Sequence, residues 1–415
     1  MGKRRVLFLS AGIMLAAAAC GTAENNQGLE ISGDVEFGES DYEEIASANN
    51  QLGMELLGQI EPDEEGNTFI SPLSLFMALS MAYNGADGET KEEIARVLQK
   101  EGIEVEGLNK ANASMMMKLH NEAEEIQLNV GNSIWLNEDF TFQEEFAQHT
   151  QDYFNAEIQE IDVENDGSVD TINNWVSDAT NEKIEEIVEA PLHPLTVAIL
   201  INAIYFKGDW QYPFEEDNTE SGFFQLQDGT EEEVRLMAMT ENLPYMENSS
   251  FQAVSLPYGE GEMSMNVFLP SESSSLEEFS SSLTAEKLEE WRAGFSEQRI
   301  SLKLPTFQLE YESELKESLE LVGMESAFYD GANFSRLIQE DNPVKISSVL
   351  QKTFIDVSEE GTEAAAATSV TFLETSGPAE PVLMEVDRPF FFTITEEESG
   401  TVLFMGSIAH PQEGD

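Results

Sequence analysis

Side chains that commonly carry out catalysis occur in this sequence, but none stands in a pattern that predicts an active site. None of the histidines belongs to the paired spacing that binds zinc; they are His120, His149, His193 and His410. Ser313 and Lys316 match a four-residue pattern of penicillin-binding proteins, yet the companion Lys-Thr-Gly motif is missing, so we interpret them as helix surface. No pair of carboxylates stands out among the 81 acidic residues. We therefore expect no enzymatic activity, no metal and no cofactor.

The segment from Gly361 to Thr375 has the most informative pattern of residue types. Read with the period of two of a β-strand, one face carries small and then apolar side chains: Thr362, Ala364, Ala366, Thr368, Val370 and Phe372. The segment contains no proline, so every residue could donate to a sheet ladder. These residues allow a loop in one state and a central strand in another, whereas a small-residue surface loop is the simpler interpretation.

The chain is strongly acidic along its whole length. It has 415 residues, of which 81 are acidic and 20 basic, and a formal net charge of −61. Nucleic acid, anionic lipid surfaces and heparin-like polyanions are excluded as partners because this charge repels them. Hydrophobic residues make up 41%, which is enough for a folded core. The acidic surface suits a medium of high salt or high pH, and ordinary tuning of solubility is the alternative.

The first twenty residues predict export from the cell. Three basic residues at positions 3–5 precede an apolar run from Val6 to Ala19 that is too short to span a bilayer. The next residue, Cys20, is the only cysteine, and the alanines before it resemble a bacterial lipoprotein signal, in which the cysteine carries the lipid. We expect a secreted protein at the extracellular or cell-envelope surface, lipid-anchored through Cys20 after removal of residues 1–19. A plain signal peptide that contains a cysteine is the alternative.

The pattern of the remaining residues predicts a tether followed by one domain. Residues 20–41 are polar and without apolar periodicity, which predicts an acidic flexible tether, and residues 42–412 contain no second linker. A helical period occurs in Asp41–Ile60, Pro72–Tyr83, Thr90–Leu98 and Val169–Val188. Strand patterns occur in Val197–Phe206, Phe251–Leu256, Met263–Leu269, Ile300–Leu304, Phe390–Ile394 and Thr401–Ile408. Helices first and strands later indicate an α+β domain with antiparallel sheets.

A series of motifs from about Tyr42 to Pro411 resembles the serpin family, the serine protease inhibitors. The motifs are Asn67–Ser74 with Asn84-Gly85-Ala86, Asn202–Trp210 with Phe214, Leu256-Pro257-Tyr258 with Leu269-Pro270, Leu304–Phe307, Val322-Gly323-Met324 with Phe334-Ser335, and Asp387–Phe390 with Gly400 through Gly406. The resemblance implies the serpin fold, in which helices pack on three β-sheets and a reactive-centre loop is mobile.

The resemblance also implies a mechanism in which the chain is a suicide substrate. A serine protease, or for some members a cysteine protease, cleaves the loop and is held as an acyl-enzyme while the loop inserts into the main sheet. Insertion starts at the hinge, which corresponds here to Glu359, Glu360, Gly361, Thr362, Glu363, Ala364, Ala365, Ala366 and Ala367. Its small inward-facing residues imply an active, monomeric inhibitor, and a non-inhibitory serpin that acts as a surface binding protein is the alternative.

The family's usual spacing locates the scissile bond fourteen residues after Gly361, between Thr375 and Ser376. Thr375 suits elastase-like or subtilisin-like enzymes. A bond two residues earlier, between Leu373 and Glu374, suits chymotrypsin-like or subtilisin-like enzymes. Trypsin-like targets are not expected, because no Lys or Arg occurs between Gly361 and Val386.

A second group of residues corresponds to the family's gate for opening the main sheet: Ser71, Ser74, Asn202, Gln351 and Trp210. Gln351 stands where the family often has a histidine, and its amide can still bridge hydroxyls and Asn202. Trp210 is expected at the upper opening of the sheet. Thr306 stands where some relatives carry a lysine that pairs with the hinge Glu359, so we expect that ion pair to be absent here.

Overall fold

Two β-sheets and the helices packed on them make up the structure. The computed structural model describes residues 31, 35–121, 126–341, 343–362 and 380–413. The described residues form nine α-helices: α1 (Glu43–Leu57), α2 (Pro72–Gly85), α3 (Gly88–Val97), α4 (Val105–Asn121), α5 (Glu144–Phe154), α6 (Gly167–Ala179), α7 (Leu276–Ser281), α8 (Ala285–Gly294) and α9 (Lys316–Leu321). None of these helices is long and apolar enough to cross a membrane.

Fifteen strands occur in the same described ranges. They are β1 (Thr68–Ile70), β2 (Ile126–Asn137), β3 (Glu157–Ile161), β4 (Ala198–Asp209), β5 (Glu220–Gln225), β6 (Glu231–Glu247), β7 (Phe251–Tyr258), β8 (Met263–Pro270), β9 (Ser296–Pro305), β10 (Phe307–Glu314), β11 (Ile346–Val357), β12 (Gly361–Thr362), β13 (Val382–Glu385), β14 (Phe390–Glu396) and β15 (Val402–Ile408). The predicted α+β class is confirmed, although β1, β2 and β3 lie among the early helices instead of after them.

The strands form one six-stranded and one nine-stranded network. The smaller follows the order β10-β11-β12-β4-β2-β3, and the larger follows β1-β15-β14-β8-β7-β6-β9-β13 with β5 added on β6. The resemblance implies three sheets. Two of these are continuous here because the long strand β6 pairs with β7 at one end and with β5 and β9 along the rest.

Helix α2 lies between the two networks and positions the gate residues Ser71 and Ser74 at its amino end. All fourteen of its residues are buried, as expected for a helix that is apolar on every side. Its amino end is fixed by Pro72 in the first turn and by Ser71, whose side chain accepts a hydrogen bond from the backbone N–H of Ser74. Strand β4 has α2 on one face and α6 on the other, which explains why it is buried at nearly every position.

One predicted helix is too long. The pattern over Val169–Val188 is helical only as far as Ala179, because Asn181 and Glu182 adopt left-handed backbone conformations with φ of 53° and 63°. The apolar residues beyond this point still enter a core: Ile184 and Ile187 pack with α6, Tyr205 and Phe354 in a segment without regular secondary structure. The described residues 35–41, which precede α1, contact helix α4: the Ser114 hydroxyl of α4 donates to the carbonyl of Glu39 at 3.1 Å.

Candidate functional site

The centre of the six-stranded sheet contains a line of contact between β11 and β4, which we call the seam. Along the seam the two strands run parallel, from Ile346 opposite Ala198 to Phe354 opposite Tyr205. Above it, the two residues of β12 lie between the strands and pair antiparallel with both: Thr362 with Val357 and Gly208, and Gly361 with Asp209. The sheet is thus closed along the seam and already divided at its upper end.

Gly361 and Thr362 fit this position because of their size and their polarity. A Cβ atom on Gly361 would overlap the carbonyl oxygen of Gly208 and lie 2.8 Å from the Cα of Asp209, so the close approach requires glycine. Thr362 is fully buried, and its hydroxyl is 2.7 Å from the phenol oxygen of Tyr258. Burial raises the pKa of Tyr258, so the phenol stays protonated and available for this hydrogen bond.

Trp210 holds the hinge backbone from the side. Its ring stacks on Tyr258 with centroids 4.4 Å apart, and its indole N–H donates to the carbonyl of Ser358 at 2.9 Å. The backbone N–H of Trp210 also donates to the carbonyl of Glu360 at 2.9 Å. Trp210 therefore lies at the divided upper end of the sheet, apart from the other gate residues.

Glu359 has an ion pair, and its cation comes from Arg235 and not from position 306, where this chain has a threonine. A nitrogen of the Arg235 guanidinium lies 2.8 Å from Glu359 Oε1, and the Thr219 hydroxyl donates to the same oxygen at 2.8 Å. Arg235 comes from β6, and its carbonyl accepts the backbone N–H of Thr306 at 3.0 Å. The cation is therefore supplied by the strand beside Thr306, which the sequence position alone does not indicate.

The remaining gate residues meet below the hinge, on the face of the seam that α2 covers. The Gln351 amide accepts from the backbone N–H of Ser71 at 3.0 Å and donates to the Ser71 carbonyl at 3.0 Å. It also donates to Asn202 Oδ1 at 2.7 Å, and Asn202 donates to the Ser74 hydroxyl. Gln351 and Asn202 are register partners on β11 and β4, so this hydrogen bond crosses the seam.

Asn132 on β2 belongs to the same cluster and was missed at the level of sequence. Asn202 donates to Asn132 Oδ1 at 2.7 Å, while Asn132 Nδ2 is buried without a hydrogen-bond partner among the described residues. Its register position opposite Asn202 is the signal that identifies it. That pairing follows from the sheet topology, since 70 residues separate the two asparagines.

Several predicted site residues lie outside the described residues. They are Glu363, Ala364, Ala365, Ala366 and Ala367 of the hinge, Thr375 and Ser376 with the alternative pair Leu373 and Glu374, and Cys20 with the signal before it. The hinge residues that the structure does describe, Glu359 through Thr362, all lie at the upper end of the seam.

Comparison with known proteins identifies the family. A family model described as Serpin (serine protease inhibitor) matches residues 47–411. The chain is 33% identical over 383 residues to an uncharacterized serpin-like protein of Methanosarcina mazei, which covers 89% of this chain and 88% of that protein. It is 32% identical over 370 residues to Iripin-2 of Ixodes ricinus, with coverage of 88% and 93%.

The fold agrees with the sequence comparison. The crystal structure of the thermophilic serpin tengpin in its native state matches with a TM-score of 0.84 and 34% identity, over 91% of this chain and 96% of that chain. The family model spans the hinge, the seam and the helix that carries Ser71. The protein therefore belongs to the serpin family.

Proposed function

We propose that this serpin is an irreversible suicide-substrate inhibitor of an extracellular serine protease of elastase, subtilisin or chymotrypsin type. The observation that carries the proposal is the position of Gly361 and Thr362, which pair with both β11 and β4. A loop that begins there can become a new central strand of the sheet by continuing downward once the same two strands, which now pair with each other, separate.

The register of Thr362 determines where each later residue would arrive. In an antiparallel pair, each later residue of one strand lies opposite the preceding residue of its partner strand. From Thr362 opposite Val357 and Gly208, six further residues would bring Thr368 level with Gln351 and Asn202. The Thr368 hydroxyl could then replace the hydrogen bond that now joins Gln351 to Asn202 across the seam.

Backbone pairing supplies the free energy for this movement. Insertion would replace one parallel ladder by two antiparallel ladders, so each inserted residue would gain backbone hydrogen bonds. Each such bond contributes about 0.5–1.5 kcal/mol net. These bonds favour insertion, and the conformational entropy lost when the loop is ordered offsets part of the gain.

The chemical step itself belongs to the protease. Its serine oxygen attacks the carbonyl carbon of Thr375, the bond to the nitrogen of Ser376 breaks, and the protease stays attached to Thr375 as an acyl ester. Insertion of the cut loop then carries the protease along and distorts its catalytic site before water can hydrolyse the ester. The serpin contributes no catalytic residue.

The test is incubation of the protein with elastase, subtilisin, chymotrypsin and trypsin, followed by a denaturing gel and mass spectrometry of the released fragment. We expect SDS-stable adducts with one or more of the first three. Adducts with trypsin alone would contradict the proposed specificity. Clean cleavage without any adduct would contradict the inhibitor proposal and favour the non-inhibitory surface binding protein.

Two matched variants distinguish the two candidate bonds. If Thr375–Ser376 is the reactive bond, Thr375→Arg should yield an SDS-stable adduct with trypsin, whereas Leu373→Arg should be cleaved with little adduct. The reverse pattern would assign the reaction to Leu373–Glu374. In both variants the fragment mass reports which bond was cut.

We also propose that the protein is secreted and anchored at the cell envelope through lipid on Cys20. The support is the basic and apolar start of the chain and the absence of a second cysteine. Expression in a bacterial host with radiolabelled palmitate should label the wild type and leave Cys20→Ser unlabelled. Equal labelling of both proteins would contradict the anchor.

A further inference from the structure

A cavity of about 530 Å³ lies between helices α4 and α5 and the segment that precedes β11. Two parts of the chain enclose it because they first pair and then separate. The backbone N–H of Gln143 donates to the carbonyl of Leu337 at 2.9 Å, and α5 begins at the next residue. The volume is within the range of about 300–1,000 Å³ that is usual for small-molecule pockets. None of the described hinge or gate residues lines it.

The wall of the cavity combines a fixed polar pair with aromatic rings. Asn84 and Asn109 are almost fully buried, and each amide donates to the oxygen of the other, at 2.8 and 2.9 Å. Phe146 supplies apolar surface, and the rings of His149 and Tyr153 meet edge to face with centroids 6.0 Å apart. The wall is therefore pre-formed, and its polar groups are already paired.

Arg336 gives the cavity a cation that is poorly compensated. Its ion pair is long, with Nε 3.9 Å from Asp87 Oδ2, and both side chains are largely exposed, so the pair is weak. Lys91 is a second cation nearby, with its ammonium 4.5 Å from the ring centroid of Tyr83. Burial and the repulsion from Arg336 lower the pKa of Lys91, although Asp87 and Glu104 attract its charge.

This arrangement is unusual for a chain with 81 acidic and only 20 basic residues. Carboxylates are abundant, and Lys303, for example, lies within 3.4 Å of both Glu220 and Glu385. Arg336 and Lys91 instead repel each other beside a cavity. A bound anionic group would neutralise them there.

Glu145 supplies a negative charge to the same cavity. It lies in the first turn of α5, is exposed, and forms no ion pair within the part of the chain that the structure describes. Glu106 also lines the cavity, but its carboxylate is paired with Lys110 at 2.7 Å. One cation and one carboxylate, Arg336 and Glu145, thus line a shared volume without a close partner.

We infer that this cavity binds a small zwitterion of the amino-acid type, with its carboxylate at Arg336 and Lys91 and its ammonium at Glu145. A guanidinium binds a carboxylate through two parallel hydrogen bonds. The formal net charge of −61 repels a free anion, whereas a zwitterion carries no net charge. Phe146 and Tyr153 would contact an apolar side chain of the ligand. The site goes beyond the proposed inhibition and does not depend on it.

The test titrates the protein with L-leucine and with two analogues that each lack one charge. Isocaproate keeps only the carboxylate, and isoamylamine keeps only the ammonium. Binding is followed by saturation-transfer NMR at about 0.1 M NaCl, where salt partly screens the surface charge. The thermal midpoint is measured in parallel, because a ligand that binds the folded state raises it.

We expect the wild type to bind leucine about tenfold more tightly than either analogue, since each analogue loses one charged contact. Arg336→Gln should weaken leucine binding about tenfold. Glu145→Gln should also weaken leucine binding but should strengthen isocaproate binding, because a repulsive charge is removed. Arg96→Gln is the matched control, since Arg96 is exposed in the last turn of α3 and should leave binding unchanged.

The remaining outcomes would overturn the inference. They are no saturable leucine binding to the folded wild type, equal affinity for leucine and isocaproate, and unchanged leucine affinity in Arg336→Gln. Binding of inorganic phosphate without binding of leucine would identify an anion site and would also overturn it. The side chains of Arg336 and Glu145 are exposed, so both variants should fold, and their unliganded thermal midpoints check this. The formation of protease adducts is measured separately, so the proposed function stands or fails on its own test.

Discussion

Two polar side chains stabilise the closed sheet, one at the hinge and one in the middle of the seam. Glu359 fixes the hinge through Arg235 and Thr219, and Gln351 fixes the middle of the seam through Ser71 and Asn202. Both are almost fully buried, at 7% and 1% exposure. A buried polar group that loses its partner costs more than the bond itself contributes. Substitutions of the partners are therefore the sharpest tests at the scale of single residues.

Replacing Arg235 by glutamine should destabilise the hinge. Glu359 would keep the Thr219 hydrogen bond but lose its cation, which should lower the free energy of unfolding by about 1–3 kcal/mol. Urea unfolding measures the loss. Arg299→Gln, an equal change of charge at an exposed position on β9, is the control. Equal effects of the two substitutions would show that the ion pair contributes nothing.

Replacing Gln351 by leucine should weaken the closed seam. The backbone N–H and carbonyl of Ser71 and the Oδ1 of Asn202 would lose partners in a buried site, at a cost of about 2–3 kcal/mol. Gln127→Leu, on the partly exposed side of β2, provides a matched control. A thermal midpoint no lower for Gln351→Leu than for the control would contradict the assigned role.

At the scale of elements, the hinge depends on a strand of only two residues. β12 has enough room because Gly361 lacks a side chain at its contact with the backbone of Gly208 and Asp209. Its second residue, Thr362, forms a hydrogen bond through its hydroxyl with the phenol of Tyr258. The hinge thus depends on a close backbone approach at one position and on a buried hydroxyl pair at the next.

Gly361→Ala should push β12 out of the sheet, because its Cβ would overlap backbone atoms that cannot move aside. If the proposed inhibition is correct, more of the variant should be cleaved as plain substrate, with inhibition slowed about tenfold. Gly58→Ala is the control, since a Cβ there would meet only the carbonyl of Glu55 at 3.8 Å. The ratio of adduct to cleaved serpin on a gel gives the result, and equal ratios would refute the steric argument.

Sequence patterns predicted the buried elements that begin and end close to the limits of an apolar run. The buried helix α2 and the strands β14 and β15 lie within a few residues of the predicted bounds. The pattern failed where apolar residues pack without regular structure, as with Ile184 and Ile187 after the end of α6. It also could not pair Arg235 with Glu359, 124 residues apart, because that contact depends on how β6 lies beside β9.

At the scale of the molecule, negative charge is the dominant feature. Several of the 20 basic residues are shared between two carboxylates, as Lys303 is between Glu220 and Glu385 and Lys118 between Glu396 and Glu398. Most acidic side chains are left to repel one another. Salt screens this repulsion, with a Debye length of about 30 Å at 0.01 M and about 10 Å at 0.1 M.

We therefore predict that inhibitory competence depends on salt more steeply than the stability of the loop-cleaved form. Repulsion acts on an uncut state that the proposed mechanism requires to be strained, whereas the cleaved form has gained a strand. Adduct yield and the unfolding midpoint of cleaved protein should be measured at matched salt concentrations. An equal salt dependence of the adduct yield and of the unfolding midpoint would contradict the proposed link between charge and strain.

The polar contacts on the two faces of the seam also bear on how the chain folds. Gln351 contacts Ser71 on one face, and the adjacent Lys352 donates to the carbonyl of Glu186 on the other face at 2.8 Å. Since side chains alternate along a strand, shifting β11 by one residue against β4 would turn every side chain to the opposite face. The Lys352 ammonium would then be driven toward the buried backbone of Ser71, and the Gln351 amide toward the carbonyl of Glu186. Either change leaves polar groups unpaired, so a misaligned sheet is penalised on both faces at once. These two adjacent residues thereby favour the correct alignment of the strands during folding.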